Sequence, residues 1–136
     1  MKKILITGAH SYIGTSVSDY LARWPEKYAV DTLSVHGEDW KQADFSKYDA
    51  VFHVAGIAHA DVGHVSEERK AEYYAVNRDL TLAVAEKAKA DGVGQFLYMS
   101  SAIVYGDSAP IGKRKVITKD TPAAPANFYG DSKVQA

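Results

Sequence analysis

The chain contains no cysteine, and that one absence removes disulfides, thiolate catalysis and cysteine-ligated metal sites together. Neither sign of charge is in excess: 16 basic and 17 acidic residues leave a net charge of −1. With the two signs interspersed, no field arises that would attract nucleic acid or an anionic membrane, so neither is expected as a partner. No run of about 18 apolar residues exists to span a bilayer, and the apolar stretch after Met1-Lys2-Lys3 is too short for a signal peptide. These absences predict a cytoplasmic protein. Proline is scarce, and three of the 4 prolines (Pro110, Pro122 and Pro125) fall in one stretch, marking residues 106–126 as a connection without regular structure. What remains is a chain of 136 residues, 46% hydrophobic and 24% charged, enough to bury the core of one α/β unit spanning residues 1–136.

That unit is organised around Ile4-Leu5-Ile6-Thr7-Gly8-Ala9-His10-Ser11-Tyr12-Ile13-Gly14. A short apolar run leads into a glycine-bearing turn, and then into apolar residues at helical spacing: Ile13, Val17, Leu21 and Trp24. Strand, tight turn and helix follow. Gly8 lets the backbone turn sharply, the helix start offers unpaired N–H groups and a positive dipole end, and Gly14 permits close helix-on-strand packing. Such a turn suits a pyrophosphate.

Further along, a second strand is expected at about 28–35, and a stub of third strand near Trp40 with a helical turn at Phe45–Tyr48. A buried fourth strand, Asp49-Ala50-Val51-Phe52-His53-Val54-Ala55-Gly56, ends in small residues. Residues 67–90 read as one long helix closed by Asp91-Gly92, and Gln95–Ser100 as strand five. Strands alternating with crossover helices predict a doubly wound parallel sheet of order 3-2-1-4-5, with ligand at the carboxyl ends of the strands. In dinucleotide folds the end of strand two carries an acid that accepts from the adenosine ribose; Ser34 holds that place here, and Asp31 lies mid-strand as a partly exposed acid. No arginine stands nearby to meet a 2′-phosphate, and His10 and His36 are only weakly basic, which favours NAD over NADP.

The candidate chemistry comes from Ser101, at the end of strand five, and from Tyr129 and Lys133, one helical turn apart and so on one helix face. A free tyrosine titrates near pKa 10, and an ammonium beside it favours the phenolate, which makes a general base. A rival reading takes His53, His59, Asp61 and His64 as a metal site, but nothing in their spacing enforces a tetrahedron, and His53 fits better as a core residue. No metal is expected.

Thr7-Gly8-Ala9-His10-Ser11-Tyr12-Ile13-Gly14, the Asp49–Gly56 strand, Tyr73-Tyr74-Ala75-Val76-Asn77, Ser100-Ser101-Ala102-Ile103-Val104-Tyr105-Gly106 and Tyr129-Gly130-Asp131-Ser132-Lys133 occur in an order that resembles the extended short-chain dehydrogenases/reductases. These are the NAD-dependent nucleotide-sugar epimerases and dehydratases, and the resemblance runs over residues 2–136. It implies that Gly8, Ser11, Tyr12, Ile13 and Gly14 carry the cofactor pyrophosphate. It places Ser34 at the ribose, Asp44 and Phe45 around the adenine, and Val54, Ala55 and Gly56 against the cofactor. Asn77 would sit beside the active site, Lys133 would hold the nicotinamide ribose, Tyr129 would be the acid/base, and Ser101 would bind the substrate oxygen. Ser11 departs from the family, which has glycine there; its Cβ narrows the approach to the pyrophosphate and weakens binding, although its hydroxyl can donate to a phosphate oxygen.

Dehydratases of this group put Thr-Asp-Glu where Ser101-Ala102-Ile103 stands, so the expected activity is that of an epimerase or a 4-keto-sugar reductase acting on a nucleotide sugar. The alternative is a dinucleotide-binding module without turnover. Family members continue into a substrate domain, and this chain is expected to be their amino-terminal part. Its Lys113-Arg114-Lys115 triplet is expected to be solvated surface, and its last strand to leave an open edge that favours self-association, as in a homodimer. The last helix, short and containing Gly130, is expected to be marginal and undocked.

Overall fold

The computed structural model of the chain describes residues 1–8, 10–58 and 65–136. Its sheet consists of β1 (Lys2–Thr7), β2 (Tyr28–Leu33), β3 (Ala50–His53) and β4 (Gln95–Tyr98), all parallel, in the order β2-β1-β3-β4. Ile4 lies opposite Val30 on one side and Ala50 on the other, and Ala50 lies opposite Gln95. Asp49 sets the β1–β3 register: its amide donates to the Lys3 carbonyl at 2.8 Å, and its carboxylate accepts from the Lys3 amide at 2.7 Å. That second bond is the main cause holding the Asp49 carboxyl below its ordinary pKa.

The helices are α1 (Tyr12–Leu21), α2 (Glu67–Tyr74), α3 (Leu80–Ala90) and α4 (Phe128–Gln135). Strand alternation sends Leu5 and Ile6 to opposite faces of the sheet. Val84 and Ala88 of α3 join Leu5, Val51, Val35, Trp40, Phe45 and Tyr48 in the core, while a Cβ on Gly14 of α1 would come within 3.2 Å of Ile6 Cγ2. Helices on both faces make the sheet doubly wound, and each fully buried Leu or Val side chain in it contributes about 1.5–3 kcal/mol.

Three expectations need correction. The stub of third strand is a 3₁₀ turn, Asp39–Gln42, so the sheet has the predicted order without its first member. Glu38-Asp39-Trp40-Lys41-Gln42 has no alternation to sustain a strand; Trp40 turns its indole into the core, and Lys41 pairs with Glu38 one turn back. The long helix is two α-helices joined by a π-helical turn, Ala75–Asp79. The stop at Asp91-Gly92 is as expected, with Gly92 at φ +78°.

The third correction concerns α4, which is docked. The chain forms two compact units, one of residues 1–56 and 80–99 and one of residues 57–79 and 100–136. The first holds the sheet, α1 and α3. Within the second, the Asn127 side chain caps α4 by accepting from the Gly130 amide at 2.9 Å. The Tyr73 ring of α2 meets Phe128 and Tyr129 edge-on at 5.0 and 6.0 Å, and Gly130, Ser132 and Lys133 are buried. Gly130 is needed there, since a Cβ would come within 2.9 Å of Pro125 and 3.0 Å of the Ile103 carbonyl. Propensity and length describe an isolated helix; partners supplied by α2 and the π-turn override them.

Candidate functional site

In the first unit the site begins where β1 ends. The Gly8 amide donates to the Leu33 carbonyl at 3.0 Å, its φ is +104°, and a Cβ on it would stand 2.7 Å from the Ala55 amide nitrogen. A left-handed turn pressed on a neighbouring backbone admits only glycine. The Val54 and Ala55 amides both donate to the Thr7 carbonyl, at 3.0 and 3.1 Å, which brings the tip of β3 under the turn. His10 also takes a positive φ, 71°, and is exposed.

Ser11 is the N-cap of α1, its Oγ accepting from the Gly14 amide at 3.0 Å. The hydroxyl proton stays available, so the residue that departs from the glycine pattern still offers a donor at the helix start. Tyr12 and Ile13 follow with 87% and 42% of their surfaces exposed. The packing face of α1 therefore starts at Gly14, and the two apolar side chains before it point outward. Gly56 is exposed just beyond β3.

Ser34 is the first residue past β2 and is exposed; its Oγ accepts from the His36 amide at 3.4 Å. Asp44 is exposed too, with its carboxyl held below the ordinary value chiefly by the Ser46 hydroxyl and then by the Ser46 amide. Phe45 is different: its ring is fully buried in the core, and its amide donates to Asp91 at 2.9 Å. Of this pair, Asp44 is the one with a side chain open to a ligand. Asp31 accepts from the Tyr48 hydroxyl at 2.7 Å, and burial together with that bond pushes the phenol well above its ordinary value.

His53 is a core residue, wholly buried between Thr7 Oγ1, 2.7 Å from Nδ1, and Thr81 Oγ1, 3.1 Å from Nε2. The two threonine partners could not be read from the sequence, because the sheet and α3 bring them together. His59, Asp61 and His64, the rest of the metal reading, lie outside the described residues, and no group of three potential ligands occurs among the described ones.

The second unit holds the other four candidates. Ser101 opens a 3₁₀ turn, Ala102–Tyr105, with its Oγ accepting from the Ile103 amide at 3.4 Å and its own proton left to donate. Tyr129 is half-buried in the first turn of α4, and Lys133, one turn on, is 7% exposed. Burial pushes the Lys133 ammonium below its ordinary pKa. Asn77, in the middle of the π-turn, is fully buried; its Oδ1 accepts from the Ile57 amide at 2.8 Å, and its Nδ2 donates to the Ile57 carbonyl at 3.1 Å and to Ser132 Oγ at 3.0 Å. Ser132 was not among the expected site residues. Its one sequence signal is its place in a helix interior beside Lys133, where a hydroxyl needs a carbonyl or a partner from elsewhere.

After Ser101 the chain encloses a cavity of ≈ 400 Å³ lined by Ala102, Ile103, Gly106, Ser108, Lys115 and Ile117. Lys113, Arg114 and Lys115 are all exposed, as expected of solvated surface, and the Lys115 ammonium donates to the Tyr105 and Asp107 carbonyls at 2.6 and 3.1 Å. No helix among the described residues is long and apolar enough to cross a membrane.

Residues 4–136 match the model of the NAD dependent epimerase/dehydratase family. A UDP-glucose 4-epimerase of Vibrio cholerae is 30% identical over 99% of this chain, which spans 45% of that protein. Among solved structures, RMD from Pseudomonas aeruginosa complexed with NADPH superposes with a TM-score of 0.72 at 26% identity, covering 99% of this chain and 47% of that one. A short-chain dehydrogenase/reductase superfamily protein from Agrobacterium tumefaciens with bound NAD gives 0.77 at 24% identity, covering 98% and 42%, and supports the fold. This chain thus spans less than half the length of each of these proteins.

Proposed function

We propose that this chain, which belongs to the NAD dependent epimerase/dehydratase family, is the cofactor-binding and catalytic part of a nucleotide-sugar 4-epimerase or 4-keto-sugar reductase. The observation that carries the reading is α4: a capped, packed helix that buries Lys133 to 7% exposure one turn from Tyr129. An ammonium removed from water is costly, and its charge acts strongly on whatever forms beside it. When bound, NAD supplies the acceptor and donor of hydride at the sugar carbon.

The residues of this chain bind, orient and move the proton. The turn at Gly8, with the α1 N-terminus and the Ser11 hydroxyl, offers donors to a pyrophosphate, and Ser34 and Asp44 offer acceptors to ribose and adenine. The Ser101 hydroxyl donates to the sugar oxygen. The Tyr129 phenolate takes the proton of that sugar hydroxyl when the carbonyl forms and returns it when the carbonyl is reduced. Lys133 supplies the positive charge opposite the phenolate.

The test is calorimetric titration with NAD, followed by near-ultraviolet detection of reduced nicotinamide when UDP-glucose or UDP-galactose is added. Tyr129→Phe should lower the rate of reduction by about 10²–10⁴ and leave NAD affinity near its starting value. A Tyr129→Phe chain of undiminished rate sinks the acid/base assignment. In a protein that joins this chain to a related carboxyl-terminal part, NAD binding with no reduction by any nucleotide sugar favours the dinucleotide-binding module instead.

A further inference from the structure

The buried polar groups of the second unit form a chain of hydrogen bonds with a fixed direction. Ser132 Oγ, fully buried, donates its one proton to the Tyr129 carbonyl at 2.8 Å, so it must accept from Asn77 Nδ2 at 3.0 Å. That bond orients the Asn77 amide, whose oxygen then faces the Ile57 amide and whose nitrogen also serves the Ile57 carbonyl. A helical serine donating three residues back is commonplace. What is not commonplace is that its acceptor side is taken by a fully buried asparagine from a π-turn, which in turn holds both backbone groups of one residue. π-turns are rare and frequently occur at functional sites.

We infer that Ser132 is a positioning residue for the Tyr129–Lys133 pair, its hydroxyl tying the first turn of α4 to the π-turn through Asn77. The inference rests on the reading of that pair given above. Ser132 touches neither phenol nor ammonium in any bond described; it holds the peptide of Tyr129 and precedes Lys133 in the chain. Other contacts hold α4 from outside: the Tyr74 hydroxyl donates to Asp131 at 2.6 Å, and Arg78 donates to Gln135 at 2.9 Å. The Tyr73 ring packs on Phe128 and Tyr129. With those ties intact, losing the Ser132 hydroxyl frees the first turn to shift without releasing the helix.

Ser132→Ala strips a partner from both Asn77 and the Tyr129 carbonyl in a dry site, a loss that amounts to about 10–100-fold in a local opening equilibrium. Amide exchange at Tyr129–Lys133 should quicken by about that factor, with Ile4–Ile6 unchanged. The Lys133 ammonium, followed by NMR titration, should move back up toward an ordinary lysine as the turn loosens. Asn77→Ala, which also releases both backbone groups of Ile57, should have the same two effects at least as strongly, and the double variant should fall short of the product of the two single effects, because both break the Asn77–Ser132 tie. Faster exchange with Lys133 titrating as in the unaltered chain overturns the inference, since the tie would then support the fold only. If Ser132→Ala also exposes Ile4–Ile6, the question passes to the unaltered chain. There, Asn77 side-chain protons exchanging as fast as a free amide overturn it, and strong protection supports it. Tyr129→Phe leaves the network whole, so an undiminished rate in that variant removes the acid/base reading without touching the exchange and titration results.

Discussion

The starts of α1 and α4 are built to one plan and held by different means. Each is capped by a side-chain oxygen that accepts from the amide three residues on, Ser11 from Gly14 and Asn127 from Gly130. In each that third residue is a glycine at which an added Cβ would force a neighbour to shift: on Gly14 it would meet Ser11 Oγ at 2.6 Å, and on Gly130 it would meet Pro125 at 2.9 Å. There the likeness ends. The turn before α1 is fixed by backbone on backbone, through the Thr7 carbonyl, Gly8 and Ala55, while α4 is fixed by buried side chains, Asn77, Ser132 and Tyr73. A backbone site tolerates changes in chemistry and fails on added volume. A side-chain site fails on changed chemistry as well.

Gly8→Val should break the comparison hardest. It forces a branched side chain onto φ +104° and a Cβ to 2.7 Å from Ala55 N, a backbone atom that cannot give way as a flexible side chain would. Losses of a few kcal/mol in stability and about 100-fold in NAD affinity are expected, measured by denaturant melts and calorimetry. Unchanged affinity would mean that the turn is not where the dinucleotide lies.

Lys133→Met should act in the opposite sense on stability. The folded chain holds this lysine below its ordinary pKa through burial, so between the folded value and the unfolded one of about 10.4 the unfolded chain binds the extra proton and stability climbs with pH. Methionine removes that climb and, at neutral pH, the cost of a buried charge, for a gain of about 1 kcal/mol, while NAD affinity falls. A variant that melts earlier at neutral pH would show that the ammonium is worth more to the fold through its partners than burial costs it.

Ser34→Asp sharpens the contrast between cofactors. A carboxylate facing the ribose hydroxyls should raise the NAD over NADP preference by about tenfold, the worth of one charge-assisted bond. Calorimetry with both nucleotides decides it, and a fall in NAD binding removes Ser34 from the ribose. Tyr48→Phe should have the smallest effect, costing about 1 kcal/mol at neutral pH for the bond to Asp31. Its pH signature is sharper. The folded chain retains a phenolic proton that the unfolded chain releases near pH 10, so stability falls as pH rises above that value, and phenylalanine abolishes that part of the slope.

The parts of the fold legible in the sequence are those set by local period or by glycine. β1, the turn at Gly8, the small tip of β3 and the core place of His53 all follow from runs and spacings within about ten residues. The 3₁₀ turn at Trp40, the amide of Phe45 given to Asp91 and the docking of α4 follow from contacts tens of residues apart, which periodicity does not record. In the candidate site the same split holds. Tyr129 and Lys133 declare themselves by being one turn apart, whereas Ser132 becomes visible only once the π-turn has carried Asn77 to it.

That π-turn is also a matter of counting. A π-helical turn holds one residue more than the α-helical turn it replaces, so the run from Glu67 to Ala90 has, in effect, a spare residue stored in it at Ala75–Asp79. Deleting one residue of that turn other than Asn77 would let the run close up as a regular α-helix and rotate the residues of the turn about the helix axis. Asn77 would then face away from Ile57 or from Ser132, although no side chain of the network had been changed. In this helix the length of the chain is itself under constraint, and a gene that lost one codon there would lose more than one that changed several.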